Sequence, residues 1–220
     1  MKLYCIPGMG TDRRIYERLA PLLRVDEIAY LDYIEPLDTR EPIQSYAKRL
    51  CTPMLAESRP PLLMGMSLGG FLATEISRML ELKKLFLIST MKTVSGAPWY
   101  FRPLQSIPLY RLIPSQLSKI SMGQLSYYLG IVSKEGKDAL SKMIRDRSVA
   151  HLSWARYTAI NWKNATPPTN YVHIHGTKDH IFPYPKANPT YAIQDGTHCM
   201  IFDKATEIAE IINQELALLE

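Results

Sequence analysis

The sequence lacks the features that mark membrane, secreted and disulfide-rich proteins. No apolar run in its 220 residues approaches the roughly 18 to 20 residues that span a bilayer, so it predicts no membrane insertion. Its N-terminus carries no apolar segment followed by a small-residue cleavage site, which predicts a cytoplasmic protein. The three cysteines, Cys5, Cys51 and Cys199, are widely spaced. Their odd number favours reduced thiols over a disulfide framework, and no CxxC metal motif is present.

The positive charge of the chain is confined to one segment. The net charge is +5, but residues 91–165 alone hold eleven basic and three acidic residues, a net +8. This segment contains no run of consecutive Lys or Arg and no RNA-binding signature, so the sequence predicts no nucleic-acid partner. Its basic side chains would suit an anionic substrate if they faced a site, and a solvated surface if they did not. They include Arg102, Arg111, Lys134, Lys142, Arg145 and Arg147.

The rest of the chain alternates between strand-length apolar runs and segments of helical period. This alternation is typical of an α/β fold, a mostly parallel sheet with helices on both faces. Strands are expected at residues 2–6, 28–31, 61–66, 85–88, 171–175 and 190–193. Helices are expected after Asp12, over 46–56 with shortening at Pro53, over 68–80 and over 205–219.

Residues 91–165 break this alternation and predict a helical cap inserted into a core made of residues 1–90 and 166–220. Four prolines come first, and helical patterns follow near 115–129, 134–146 and 148–162. Aromatic side chains open and close the segment, and they suit a substrate pocket or the packing of the cap equally well. They are Trp99, Tyr100, Phe101, Trp154, Tyr157 and Trp162.

The sharpest motif is Gly65-Met66-Ser67-Leu68-Gly69-Gly70, which lies where an apolar strand meets a helix. This setting favours a nucleophile elbow, in which a strained turn lifts a serine hydroxyl above the sheet edge. The neighbouring glycines remove side chains that would collide. Ser67 is therefore the candidate nucleophile.

A serine hydroxyl needs a base to take its proton and a third group to orient that base. Asp179 follows the expected strand 171–175, and His198 follows the last expected strand. Both would lie at the carboxyl edge of the sheet with Ser67. The order along the chain is then Ser, Asp, His.

With these three motifs the chain resembles the α/β-hydrolase family, and the resemblance covers nearly its whole length. It implies an oxyanion hole formed by the backbone N–H groups of Leu68 and Met9, where Pro7 replaces the histidine of many relatives. Only 19 residues separate Asp179 from His198, and three prolines lie among them. The helix usual at that place in the family is therefore expected to shrink to a turn.

The remaining histidines raise the alternative of a metal site. His173, His175, Asp179 and His180 are similar to the HxHxDH motif of metallo-β-lactamase-like hydrolases, but the spacing is two residues too long. Strand histidines bound to backbone or polar partners are the better interpretation. We expect no metal and no cofactor, and we expect Cys199 to be a core residue.

The resemblance implies a serine hydrolase that cleaves an ester or thioester of a small acyl substrate through an acyl-enzyme. A carbon–carbon hydrolase or a menaquinone-pathway-type lyase would use the same triad, and a non-catalytic ligand-binding relative would not need it. The sequence leaves the substrate and the oligomeric state open.

Overall fold

The computed structural model describes residues 1–106, 129–131 and 133–219 and is built on one parallel sheet. Six strands lie in the order β2-β1-β3-β4-β5-β6, and every neighbouring pair is parallel. The strands are β1 (Lys2–Ile6), β2 (Glu27–Tyr30), β3 (Leu62–Met66), β4 (Lys84–Ile88), β5 (Tyr171–Gly176) and β6 (Tyr191–Ile193). The expected α/β fold is confirmed, and each strand lies within one residue of its expected bounds.

Both faces of the sheet are covered, because successive side chains of a strand point to opposite sides. In β1, Leu3 and Cys5 belong to one buried cluster, and Tyr4 and Ile6 belong to the other. All five residues of β3 are buried. An uninterrupted apolar strand of this kind is what a doubly covered parallel sheet requires.

Helices connect the strands. They are α1 (Ile43–Leu50), α2 (Leu68–Ile76), α3 (Phe101–Ser106), α4 (Lys134–Arg145), α5 (Val149–Asn161), α6 (Tyr184–Ala187), α7 (Met200–Asp203) and α8 (Ala205–Ala217). Among the described residues, no helix is both long enough and apolar enough to cross a bilayer.

Prolines shorten two of the expected helices. Asp12 caps a turn as expected, since its side chain accepts from the N–H of Arg14, but only 3₁₀ turns follow, at Arg13–Tyr16 and Ala20–Leu22. Pro21 supplies no N–H and its ring would clash with the carbonyl four residues earlier, so an α-helix cannot continue through it. Pro53 acts in the same way after α1, where the 3₁₀ turn Thr52–Ala56 takes over.

Between β4 and β5 the described residues contain helices and no strand, and α5 and the residue that follows it pack against α1 and α2. The Trp154 ring stacks on Tyr46 at a centroid distance of 3.9 Å, and the Trp162 ring stacks on Phe71 at 4.2 Å. The Trp154 indole N–H donates to the Glu41 carbonyl. The Trp162 indole N–H donates to the Glu75 carboxylate. The helix expected near 115–129 lies almost wholly outside the described residues.

The strand order reverses direction at β1, with β2 on one side and β3 on the other. In open parallel sheets, ligands bind at such a switch point, beyond the carboxyl ends of the strands. The loop after β1 and the turn after β3 meet there.

Candidate active site

Ser67 occupies a strained turn between β3 and α2. Its φ of 51° and ψ of −119° lie in a region that non-glycine residues rarely adopt. The neighbouring glycines permit this turn: a Cβ on Gly65 would meet the carbonyl oxygen of Gly69 at 2.3 Å, and a Cβ on Gly69 would meet the Ile6 carbonyl oxygen at 2.3 Å. Thr90 ties the turn down by donating to the Ser67 carbonyl at 2.7 Å. The local geometry is that of a nucleophile elbow.

A hydrogen-bonded relay runs from Ser67 into the protein. The Ser67 Oγ lies 2.9 Å from Nε2 of His198, and Nδ1 of His198 lies 2.9 Å from Oδ2 of Asp179. All three side chains are buried. The structure thus brings together the three residues that the sequence singled out.

The loops that carry Asp179 and His198 touch backbone to backbone. A Cβ on Gly176 would meet the carbonyl oxygen of Gly196 at 2.2 Å, so no other residue type fits that contact. The N–H of Lys178 also donates to the Gly196 carbonyl at 2.9 Å. The only helix in the short connection between the two residues is the four-residue α6, as expected from its prolines.

The carboxyl group of Asp179 is held in its ionised form. Burial alone would raise its pKa, but its interactions with the His198 and His175 imidazoles and the hydrogen bonds it accepts outweigh that effect and lower the pKa. Its Oδ1 accepts from the N–H groups of Ile181 at 2.8 Å and Phe182 at 2.9 Å. A carboxylate fixed in this way can hold one tautomer of His198.

His175 contacts both Asp179 and the loop that donates to it, and the sequence did not predict this contact. Its Nε2 lies 2.8 Å from the Phe182 carbonyl and 3.4 Å from Oδ2 of Asp179. A carbonyl only accepts, so Nε2 carries the proton and donates it to the Phe182 carbonyl. Burial lowers the pKa of His175 and thereby favours the neutral ring.

The strand histidines have backbone partners. His173 Nε2 lies 3.1 Å from the Thr90 carbonyl, and His175 contacts Phe182, so the expected backbone partners are confirmed. No cluster of three His, Cys, Asp or Glu side chains suited to a metal occurs in the described part of the chain. Cys199 is buried in the core as expected, and its burial raises the pKa of the thiol well above the ordinary range.

The two candidate oxyanion donors lie on either side of Ser67. Leu68 is the first residue of α2, where a backbone N–H has no partner within its own helix. Met9 lies in the loop after β1, whose Gly8 approaches the Cβ of Ser67 closely enough that its own Cβ would be 3.4 Å away. Both residues line the pocket over Ser67.

Two tyrosines fix the start of that loop. The Tyr16 hydroxyl donates to the Ile6 carbonyl at 2.6 Å, and the Tyr33 hydroxyl donates to the Pro7 carbonyl at 2.8 Å. Neither residue was a sequence candidate: Tyr16 lies in the same connection as the loop but no pattern marks its hydroxyl, and Tyr33 lies beyond β2.

A cavity of about 240 Å³ opens over Ser67, and its described walls are mostly apolar. The apolar side chains that line it are Met9, Met66, Leu68, Phe71, Phe101, Leu104, Leu129, Ile144, Ala159, Ile160, Ile181 and Phe182. Of the six aromatic residues expected to line a pocket or to pack, Tyr100 and Phe101 line it. Trp154 and Trp162 pack in the core, Tyr157 is half-buried outside this cavity, and Trp99 is exposed.

Most of the basic side chains named from the sequence lie away from this cavity. Arg102, Lys134, Lys142 and Arg145 are exposed, and Arg147 pairs with Asp12 at 3.1 Å. Arg111 lies outside the described residues. A cation does line the cavity, and it is Arg156 on α5, which no sequence motif distinguished from its neighbours.

Comparison with known proteins identifies a family for this chain. A sequence profile of the alpha/beta hydrolase family matches residues 3–211. No curated protein sequence matches the chain.

Several solved structures share the fold at low sequence identity. One is a meta-cleavage product hydrolase from Pseudomonas fluorescens IP01, with a TM-score of 0.76 and 14% identity, covering 100% of this chain and 92% of that one. A thermophilic esterase from Thermogutta terrifontis, solved with malate bound, gives a TM-score of 0.72 and 14% identity, covering 100% and 90%. A hydrolase from Pseudomonas aeruginosa PA01 gives 0.73 and 14%, covering 97% and 89%.

Proposed function

The chain belongs to the alpha/beta hydrolase family, and from that premise we propose that it is a serine hydrolase. Its substrate is an ester or thioester of a small, partly apolar acyl group, and the reaction passes through an acyl-enzyme. The observation that carries the proposal is the relay from Asp179 through His198 to Ser67, with both contacts at 2.9 Å, at the floor of an apolar cavity.

In this mechanism the Ser67 Oγ attacks the acyl carbonyl carbon while His198 Nε2 takes the hydroxyl proton. Asp179 holds the proton on Nδ1 and stabilises the imidazolium that forms. The N–H groups of Met9 and Leu68 donate to the negatively charged oxygen of the tetrahedral intermediate. His198 then protonates the leaving group, and a water molecule, activated by the same imidazole, releases the acid.

We also propose that residues 91–165 form the cap over this site and that residues 1–90 and 166–220 form the core. The support is that Phe101, Ile144 and Ile160, from α3, α4 and α5, contribute to the walls of the cavity whose floor contains Ser67. The cap would then set acyl selectivity, while the core carries the chemistry.

The test is labelling with a fluorophosphonate together with hydrolysis of a panel of p-nitrophenyl esters. Ser67→Ala should abolish labelling and lower kcat/KM by at least about 10³-fold, because the hydroxyl is the nucleophile. Ser58→Ala, which changes an exposed serine, is the matched control. A Ser67→Ala protein that kept most of its activity would exclude the proposed nucleophile.

The same experiment separates the alternatives. A carbon–carbon hydrolase would react with the phosphonate but turn over the ester panel poorly compared with a vinylogous diketone. The resemblance in fold to the meta-cleavage product hydrolase makes that comparison worthwhile. A ligand-binding relative would react with none of the probes.

A further inference from the structure

Thr90 lies beside the turn that carries Ser67 and fixes one of its carbonyl groups. It follows β4 by two residues and is fully buried. Its hydroxyl donates to the Ser67 carbonyl at 2.7 Å, and the N–H of Gly70 donates to the same oxygen at 2.9 Å. A carbonyl oxygen has two lone pairs, so these two donors satisfy it and fix its direction.

The carbonyl that Thr90 holds belongs to the same peptide group as the N–H of Leu68. This peptide group is trans and planar, so its C=O and its N–H point in opposite directions. A donor that fixes the Ser67 carbonyl therefore also fixes the direction of the Leu68 N–H. That N–H is one of the two proposed oxyanion donors, and its contribution depends on its aim at the charged oxygen.

Thr90 is itself held on two sides. A Cβ on Gly70 would lie 2.5 Å from the Thr90 Oγ1, so only glycine at position 70 lets the threonine side chain come so close. This contact gives a reason for a third glycine beyond Gly65 and Gly69, which the turn at Ser67 already requires. The buried His173 ring fixes the backbone, because its Nε2 lies 3.1 Å from the Thr90 carbonyl and must donate to it.

We propose that Thr90 is a positioning residue for the oxyanion hole: its hydroxyl holds the peptide plane between Ser67 and Leu68, so that the Leu68 N–H meets the charged oxygen of the tetrahedral intermediate. The proposal rests on the serine-hydrolase function proposed above. The oxygen bears a full negative charge in the intermediate but not in the bound ester. The Thr90 hydroxyl therefore lowers the barrier of the reaction and contributes little to the binding of substrate.

The test begins with substitutions that remove or keep the hydroxyl. Thr90→Val has a similar shape but no donor, and we expect kcat/KM for the best p-nitrophenyl ester to fall by about 10- to 100-fold. Thr90→Ser keeps the hydroxyl and should retain most of the activity. Thr74→Val is the matched control, because Thr74 is also fully buried and its hydroxyl donates to the Gly70 carbonyl within α2 at 2.8 Å. It should leave kcat/KM unchanged.

Inhibition by two ketones separates positioning from a loss of structure. With trifluoromethyl butyl ketone, the Ser67 Oγ bonds reversibly to the carbonyl carbon, the π electrons move to the oxygen, and the hydroxyl proton passes to His198. The adduct carries the charged oxygen that the Leu68 N–H would meet. Its inhibition constant should therefore rise in Thr90→Val by the factor by which kcat/KM falls. Methyl butyl ketone binds without forming this adduct, and its inhibition constant should stay the same.

Rates are expressed per active site, counted by complete fluorophosphonate labelling, and Thr90→Ala replaces Thr90→Val if the valine variant does not fold. An unchanged kcat/KM in the variant without the hydroxyl would overturn the positioning role and leave the serine hydrolase intact. A fall in kcat/KM with an unchanged constant for the trifluoromethyl ketone, or an equal fall in Thr90→Ser, would also overturn it. A native protein that is neither labelled nor hydrolyses any ester would instead overturn the serine-hydrolase proposal, and the role of Thr90 with it.

Discussion

The cavity over Ser67 has two parts, which we call its floor and its roof, and different kinds of contact hold them in place. The floor, formed by Ser67, Leu68, His198 and the loop after β1, is fixed by backbone contacts and hydrogen bonds at the edge of a parallel sheet. The roof, formed by α3, α4 and α5, presents apolar side chains and one arginine. Chemistry needs atoms held to a fraction of an ångström, whereas acyl selectivity needs only shape and charge. The same fold can therefore keep its floor while its roof changes.

The largest expected effect comes from replacing His198, the proposed base in the floor of the cavity. His198→Gln should lower ester kcat/KM by at least about 10³-fold, because Ser67 then has no group to take its proton. The double variant with Ser67→Ala should be little worse than either single variant, since members of a catalytic unit are not additive. Steady-state kinetics of the three proteins measures this. Losses that multiplied in the double variant would mean that the two side chains act independently.

A smaller effect is expected from the residue that supports Asp179. His175→Leu removes the N–H that lies 2.8 Å from the Phe182 carbonyl, so the loop that donates to Asp179 loses its anchor. We expect kcat to fall by about 10- to 100-fold with little change in KM, since residues behind a catalytic group act through its orientation.

The control for this prediction is a variant that keeps the donor. His175→Gln retains an N–H near the same place and should recover most of the lost kcat. A merely structural role would lower the activity of both variants in proportion to their folded fraction. Equal defects in the two variants, after correction for folding, would therefore contradict a positioning role.

Substitutions in the roof are expected to change the selectivity for acyl chains more than the rate of hydrolysis. Ile160→Ala removes side-chain atoms from the apolar wall and so enlarges the cavity. The preferred p-nitrophenyl ester should therefore shift to a longer acyl chain, and the ratio of kcat/KM for long esters to that for short esters should change by about 10-fold. Ile160→Val is the graded control and should fall between native and Ala. The chain-length profile of kcat/KM measures the shift, and an unchanged profile would remove Ile160 from the acyl site.

The smallest effect concerns stability, at a buried histidine on the roof helix α5. His151 is buried beside Tyr33, with ring centroids 4.4 Å apart, and neither of its ring nitrogens has a partner within the described residues. Burial and the Arg147 charge lower the pKa of His151 to about 4. Its folded pKa lies below its unfolded value, so the unfolded chain binds the proton first and stability falls as the pH drops below about 6.5 toward 4.

His151→Phe keeps the ring and removes the proton site. We compare the free energy of unfolding of this variant with that of the native protein. The difference in favour of the variant should be about 1–2 kcal/mol larger at pH 5 than at pH 7.5. Urea unfolding at the two pH values measures the difference. A gain that is the same at both pH values would show that His151 does not titrate on unfolding.

The sequence was informative wherever a few neighbouring residues define the structure. The run from Gly65 to Gly69 specifies its own turn, and a parallel sheet brings the ends of β3, β5 and β6 to one edge, so the meeting of Ser67, Asp179 and His198 follows from local patterns and topology. Whether these residues carry out the proposed reaction stays a prediction.

Other parts of the site depend on contacts between distant segments. Tyr33 reaches the Pro7 carbonyl from the chain beyond β2, and no local pattern marks it. Arg156 is one basic residue among eleven in residues 91–165, and only the packing of α5 turns it toward the cavity. The prediction of an α-helix after Asp12 was wrong, because the apolar period runs through Pro21, where an α-helix cannot continue.

The backbone of Ser67 has a consequence for how this chain can change over generations. A non-glycine residue at a φ of 51° costs about 1–3 kcal/mol, and glycine would relieve much of that cost at the same position. Selection for a stable chain therefore favours the loss of the hydroxyl, and only selection for the proposed reaction would retain it. A copy of this protein released from its task would be expected to lose its serine early and to keep its fold.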